Sequence, residues 1–318
     1  MLTKLIPDRF VLMLLGALAL GWLLPVHGAA LAAAQNIIFV GIFLLFFLHG
    51  LRLPRAEVAK AAKSWRVQGA TLGFSFVVMP LAGWAVAQLA APALPAALVA
   101  GIIYLAVLPS TVQSAISYAS LGGGNVATSV VGAALSNLTG IVLTPALVAL
   151  LIGGAAGVSL DGGVVMKIAT MLLLPFALGQ GAQHWLGAWA QGQKALLSLF
   201  DRGVILLAVY IAFAGAVSSG ALGALDAKIL AILCALLLVL LAFAFAGAWG
   251  LGSVLGLARV DRISLLFAGA HKSIATGAPM AAILFGVDAG LVILPAILYH
   301  MAQLLVSAPI AGRLAKGS

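Results

Sequence analysis

Charge is scarce in this sequence. Only 7% of its 318 residues are Asp, Glu, Lys or Arg, against roughly a quarter in soluble domains. With 64% hydrophobic residues beside them, a water-soluble fold is excluded, because no soluble surface hides that much apolar area. Long polar linkers, acidic tails and low-complexity tracts are also missing, so residues 1–318 read as a single membrane domain with no soluble module attached. Cysteine is reduced to Cys234, alone in an apolar run. That excludes a disulfide framework and reads as helix packing. Acids are few: Asp8, Glu57, Asp161, Asp201, Asp226, Asp261 and Asp288, each expected in a loop or at a helix end. That none is expected at mid-membrane argues against carboxylate proton relays and an acidic cation pore, although carbonyls and hydroxyls still bind sodium. H-E-x-x-H, a membrane aspartate pair and G-x-S-x-G are absent as well, which argues against an enzyme.

What is present is apolar length. A hydrocarbon core of about 30 Å takes roughly 20 apolar residues per helix. Such stretches predict an all-α polytopic membrane protein with helices near 9–25, 34–51, 66–91, 96–120, 126–152, 164–187, 203–221, 228–251, 262–285 and 289–311. The first, Phe10 to Pro25, follows Lys4 and Arg9 and lacks a small-residue cleavage site, so it reads as a retained helix whose amino terminus starts inside. On that topology every Lys and Arg except Lys167, Lys228 and Lys272 falls on the cytoplasmic side. The positive-inside rule then places both termini in the cytoplasm of a bacterial inner (plasma) membrane. It also explains the net charge of +9 without nucleic acid as a partner; the lipid bilayer is the partner expected.

Ten spans divide at the Gly153-to-Gly163 loop into two sets of five, 1–155 and 156–318. An odd number per set inverts the second relative to the first, as in transporters. The fourth and ninth spans occupy corresponding positions, and both carry polar, Gly/Pro-marked breaks: Leu108-Pro109-Ser110-Thr111-Val112-Gln113-Ser114, and Gly269 to Pro279. Paired broken helices point to a binding site where free backbone groups meet an ion or substrate.

Lys272 is the one basic side chain expected near mid-depth, where an unpaired charge costs several kcal/mol. Three roles fit it: a fixed cation for an anionic substrate, a protonation switch, or an internal replacement for a bound metal cation; a snorkelling lysine is the alternative. His271 beside it reads equally as a proton-coupling group or a hydrogen-bonded packing residue. Ser110, Thr111, Gln113, Ser114, Ser129, Ser136, Asn137, Ser273, Thr276, His300 and Gln303 complete the expected substrate or ion contacts, with interhelical hydrogen bonding as the competing role. A non-transporting scaffold or regulatory subunit is the main rival function and a channel the third. A scaffold has little need for paired broken helices around a buried lysine.

Several motifs bring a family into view: H-G-L-R-L-P at 49–54, V-M-P at 78–80, Pro109 to Ser114, G-G-N-V at 123–126, L-T-P at 143–145, L-L-P-F-A-L-G at 173–179, and Pro295 to Gln303. On these the chain resembles the bile acid:sodium symporter family, solute carrier family 10. The stretch G-A-H-K-S-I-A-T-G-A-P-M is most similar to the branch typified by the family's seventh member. The resemblance implies ten helices in a core and a panel domain, with the fourth and ninth unwound and crossing. It also implies a secondary transporter of a small organic anion by alternating access, with sodium as the coupling ion and no other cofactor. Carried over by position, it implies that Ser114 and Ser129 match sodium-binding hydroxyls, while Ala115 and Ala133 replace polar ligands. Phe267 stands in place of a sodium-binding glutamate, His271 of a glutamine, Lys272 of an asparagine, and Ser75 of a glutamine. These departures make uniport, exchange or proton-linked transport the competing couplings.

Overall fold

The computed structural model describes residues 9–52, 64–152, 166, 169–286 and 289–316, and every described element is helical. The elements are α1 (Arg9–Leu23), α2 (Gly28–Arg52), α3 (Trp65–Ala90), α4 (Ala96–Val107), α5 (Gln113–Leu121), α6 (Val126–Ile152), α7 (Leu174–Gly192), α8 (Lys194–Ser218), α9 (Ala227–Val254), α10 (Arg259–Ala270), α11 (Ile274–Phe285) and α12 (Ala289–Lys316). Among the described residues α2, α3, α6, α8, α9 and α12 are long and apolar enough to cross a membrane, and the chain is an all-helical polytopic membrane protein. The Gly153-to-Gly163 loop, the acids Asp8, Glu57, Asp161 and Asp288, and the basic residues Lys4, Arg55, Lys60, Lys63 and Lys167 lie outside the described residues.

Boundaries read from apolar length shift where charge is paired. α8 starts at Lys194, not near 203, so Asp201 lies within the helix instead of in a loop. The reason is a partner on α2: one Arg52 nitrogen donates to both Asp201 carboxylate oxygens, at 2.9 and 2.8 Å, with His49 3.8 Å away. α2 begins at Gly28 and α12 continues to Lys316, each longer than the span read from the sequence, 34–51 and 289–311.

The chain folds as two compact units assembled from separated segments: Met1–Arg52, Gly163–Ala224 and Ala278–Leu291 in the first, and Leu53–Gly162, Leu225–Gly277 and Val292–Ser318 in the second. In the first, α2 and α7 approach closely through Gly50 and Gly179, each facing the other helix's backbone. The second holds the chain interruptions at 108–112 and 271–273.

Inside α3 the α-helical pattern gives way to a π turn over Phe74–Val78. The cause is local: Pro80 follows, without an N–H to donate and with a ring that crowds the preceding turn. A second π turn, Ala169–Leu173, likewise sits just before Pro175 at the start of α7.

Candidate functional site

Two helix interruptions build the site, and they arise differently. α4 stops at Val107 because Leu108 precedes Pro109, and a residue before proline is pushed to extended backbone; Leu108 sits at φ −66°, ψ 148°. Helix resumes at Gln113. α10 stops at Ala270, with His271 extended at φ −80°, ψ 138°, and helix resumes at Ile274. No proline stands at this second break, and side chains hold it open instead. The Gln303 amide pairs with both backbone groups of Lys272: Oε1 accepts the N–H at 2.8 Å and Nε2 donates to the carbonyl at 3.1 Å. Tyr299 donates its hydroxyl to the Ala270 carbonyl at 2.8 Å, and Tyr104 donates to the Gly277 carbonyl at 2.7 Å. The two breaks meet directly, since the Ser273 N–H donates to the Pro109 carbonyl at 2.9 Å.

Lys272 is 1% exposed. Its Nζ donates to three backbone carbonyls, Ala106 and Leu108 at 2.8 Å and Ser75 at 3.1 Å. Each acceptor is free for a reason written in the chain. In the π turn the Met79 N–H bonds to the Phe74 carbonyl, so Ser75 would pair with the next residue, Pro80, which has no N–H. Ala106 would pair with the Ser110 N–H, but that group donates to Ser136 Oγ at 2.9 Å. Leu108 lies past the helix end. A neutral amine has two N–H groups, so three carbonyl acceptors match an ammonium. Among the described residues no carboxylate forms an ion pair with it. At 1% exposure the side chain does not reach the protein surface.

His271 is fully buried. Its Nδ1 lies 3.2 Å from Thr111 Oγ1 and 3.1 Å from Ser114 Oγ, and these two hydroxyls lie 2.6 Å apart. Nε2 lies 2.7 Å from Ser307 Oγ, and the ring stands edge-on to Tyr118, Phe245 and Phe267. Asn137 bridges the breaks: Nδ2 donates to the Ser110 and Ala133 carbonyls, both at 2.9 Å, while Oδ1 accepts from Thr276 at 2.8 Å. Thr276 in turn meets Ser273 Oγ at 3.2 Å. His300 Nδ1 lies 2.8 Å from Gln303 Nε2.

Two expected residues stand apart from this network. Ser129 donates to the Asn125 carbonyl of its own preceding turn at 3.0 Å, and Gln113 is exposed at the start of α5. Ser75 joins through its carbonyl, while its hydroxyl is buried with no hydrogen-bond partner among the described residues. Sequence reasoning missed Tyr104, Tyr299, Ser307 and Thr144, whose hydroxyl donates to the Val107 carbonyl at 2.8 Å. The available signal was the rarity of hydroxyls inside apolar runs.

Comparison with known proteins extends over nearly the whole chain. The family model described as SBF-like CPA transporter family (DUF4137) matches residues 8–316. An uncharacterised protein of Pseudomonas aeruginosa is 39% identical over 316 residues, 98% of this chain and 94% of its own. The Escherichia coli protein YfeH, whose name calls it a symporter, is 36% identical over 308 residues, covering 96% and 92%. Sodium/bile acid cotransporter 7 of Mus musculus is 24% identical over 300 residues, covering 93% and 88%.

Proposed function

We propose that the chain, which belongs to the SBF-like CPA transporter family and so is a transporter and not an enzyme, moves a small organic anion by alternating access. In this reading it spans the inner membrane ten times as two inverted five-helix repeats, 1–155 and 156–318, with both termini cytoplasmic. The observation that carries the functional reading is Lys272, buried at the meeting of two broken helices with its ammonium on three backbone carbonyls.

Oxygen ligands converging on a positive centre are what a protein offers a bound sodium ion. Here a lysine occupies that position, supplying by covalent attachment the positive charge that a coupling ion supplies by binding. Because all three N–H groups are engaged, Lys272 acts on the substrate through its field and not as a direct ligand. Direct contacts fall to the hydroxyls, amides and backbone groups of the breaks: Ser110, Thr111, Gln113, Ser114, Ser136, Asn137, Ser273 and Thr276. The side chains fit sodium poorly. The Ser114 hydroxyl lies against Thr111 and His271, the Ser129 hydroxyl is committed to Asn125, and Phe267 has no oxygen to offer. Transport independent of sodium follows.

Thermal stability of the purified protein tests this, because a ligand that binds the native state raises its melting temperature by mass action. A panel of organic anions is screened in sodium and in potassium, followed by uptake into proteoliposomes. The expected result is a stability shift with at least one anion that is the same in both salts, and saturable uptake of that anion. A shift that requires sodium overturns the lysine's role, and saturable binding without uptake favours a regulatory subunit.

A further inference from the structure

We infer that this carrier is an exchanger, in which a monovalent organic anion crossing one way is met by another organic anion crossing the other. The inference rests on the organic-anion reading above and adds how the transport cycle closes.

A coupling sodium ion dissociates with its substrate, so its positive charge does not stay behind when the carrier returns empty. Lys272 cannot leave. Its ammonium is held by the Ser75, Ala106 and Leu108 carbonyls and is 1% exposed. Its own residue is pinned at both backbone groups by Gln303. Nothing described nearby neutralises it. The acids whose side chains are described are engaged elsewhere: Asp201 with Arg52, Asp226 at the α9 N-terminus, and Asp261 with Asn125. The titratable neighbours His271 and His300 have ring nitrogens on hydroxyl and amide partners and bring no negative charge. Carbonyl dipoles stabilise the ammonium but leave its net charge in place.

The loaded site, ammonium plus a monovalent anion, is therefore neutral, whereas the empty site carries one uncompensated positive charge. Moving a net charge through the membrane is opposed by the low dielectric and, in a cell negative inside, by the potential on the outward return. Reorientation is fast when an anion is bound and slow when none is. Divalent anions leave an excess charge and cross poorly.

The test uses the wild-type protein in proteoliposomes, with labelled taurocholate and labelled benzoate as monovalent probes of different size. Vesicles hold either the same unlabelled anion or chloride, with potential set by potassium and valinomycin. Internal organic anion is expected to accelerate uptake several-fold, because the return is then made by a neutral, loaded site. An inside-positive potential is expected to speed uptake into chloride vesicles and leave exchange unchanged. Equal uptake into both kinds of vesicle at zero potential overturns the inference. Uptake into chloride vesicles driven by an inward proton gradient also overturns it, since the lysine then returns without its proton and the protein is a proton symporter. No uptake of either probe in any arm, or uptake that requires sodium, overturns the underlying reading instead.

Discussion

Asn137 accepts a hydrogen bond from the Thr276 hydroxyl at 2.8 Å, which joins α6 to the helix resuming after the second break. The same side chain donates to the Ser110 carbonyl in the first break, so one amide holds both interruptions. Asn137→Ala strands the Ser110 carbonyl and is expected to lower stability by about 2 kcal/mol, read as a fall in melting temperature. Asn137→Asp keeps the shape but sets carboxylate oxygens against two carbonyls, and is expected to be the worse variant. Equal melting temperatures for the three proteins would remove Asn137 from this role.

Lys272→Met preserves the apolar stem and leaves three carbonyls without their donor, at about 1–3 kcal/mol each. Lys272→Arg keeps the charge, but a planar guanidinium cannot place its donors on three converging carbonyls as an ammonium does. Both variants are expected to melt well below the wild type, and Lys272→Met to lose anion-dependent stabilisation. Robust transport by Lys272→Ala with unchanged dependence on sodium would sink the role given to this side chain.

Glycines set the spacing around both breaks. A Cβ at Gly140 would lie 2.8 Å from Pro109 Cβ, and one at Gly277 would lie 2.7 Å from Leu108 Cδ1. Alanine at either position is expected to cost about 1–3 kcal/mol by overpacking. Gly140→Ala is expected to be the more damaging, because a proline ring cannot rotate away as a leucine methyl can. Gly69, in α3, has open space around it, and Gly69→Ala is expected to stabilise by about 0.5–1 kcal/mol. Melting curves of the three single variants check the ordering.

Arg52 and Asp201 are partly buried, with side chains 24% and 17% exposed. A double-mutant cycle with Arg52→Gln and Asp201→Asn is expected to give a coupling energy of about 1 kcal/mol, at the upper end for exposed pairs because the arginine engages both carboxylate oxygens. A coupling near zero would mean that water already screens the pair and that α8 keeps its first turns by packing alone.

By itself the sequence determined that the chain is helical and embedded in a membrane, because apolar length and scarce charge act through solvent and need no knowledge of partners. It also located the interruptions. Pro109 ends a helix two residues before itself, and the polar run from His271 marks the second break, since proline and unpaired polar groups act locally; Pro279, read as the end of that break, lies inside the resumed helix. Lys272 stood out for the same reason, as a charge in an apolar run. What the sequence left open was which groups its side chain meets. Only the tertiary structure placed its ammonium on carbonyls 164, 166 and 197 residues away. It likewise set Ser114 against His271 and Ser129 on its own helix, although both serines read alike as hydroxyls in an apolar run. Local rules reach a turn or two along the chain, whereas the partner of a buried polar group is chosen by which helices pack together. That choice is made by the fold as a whole.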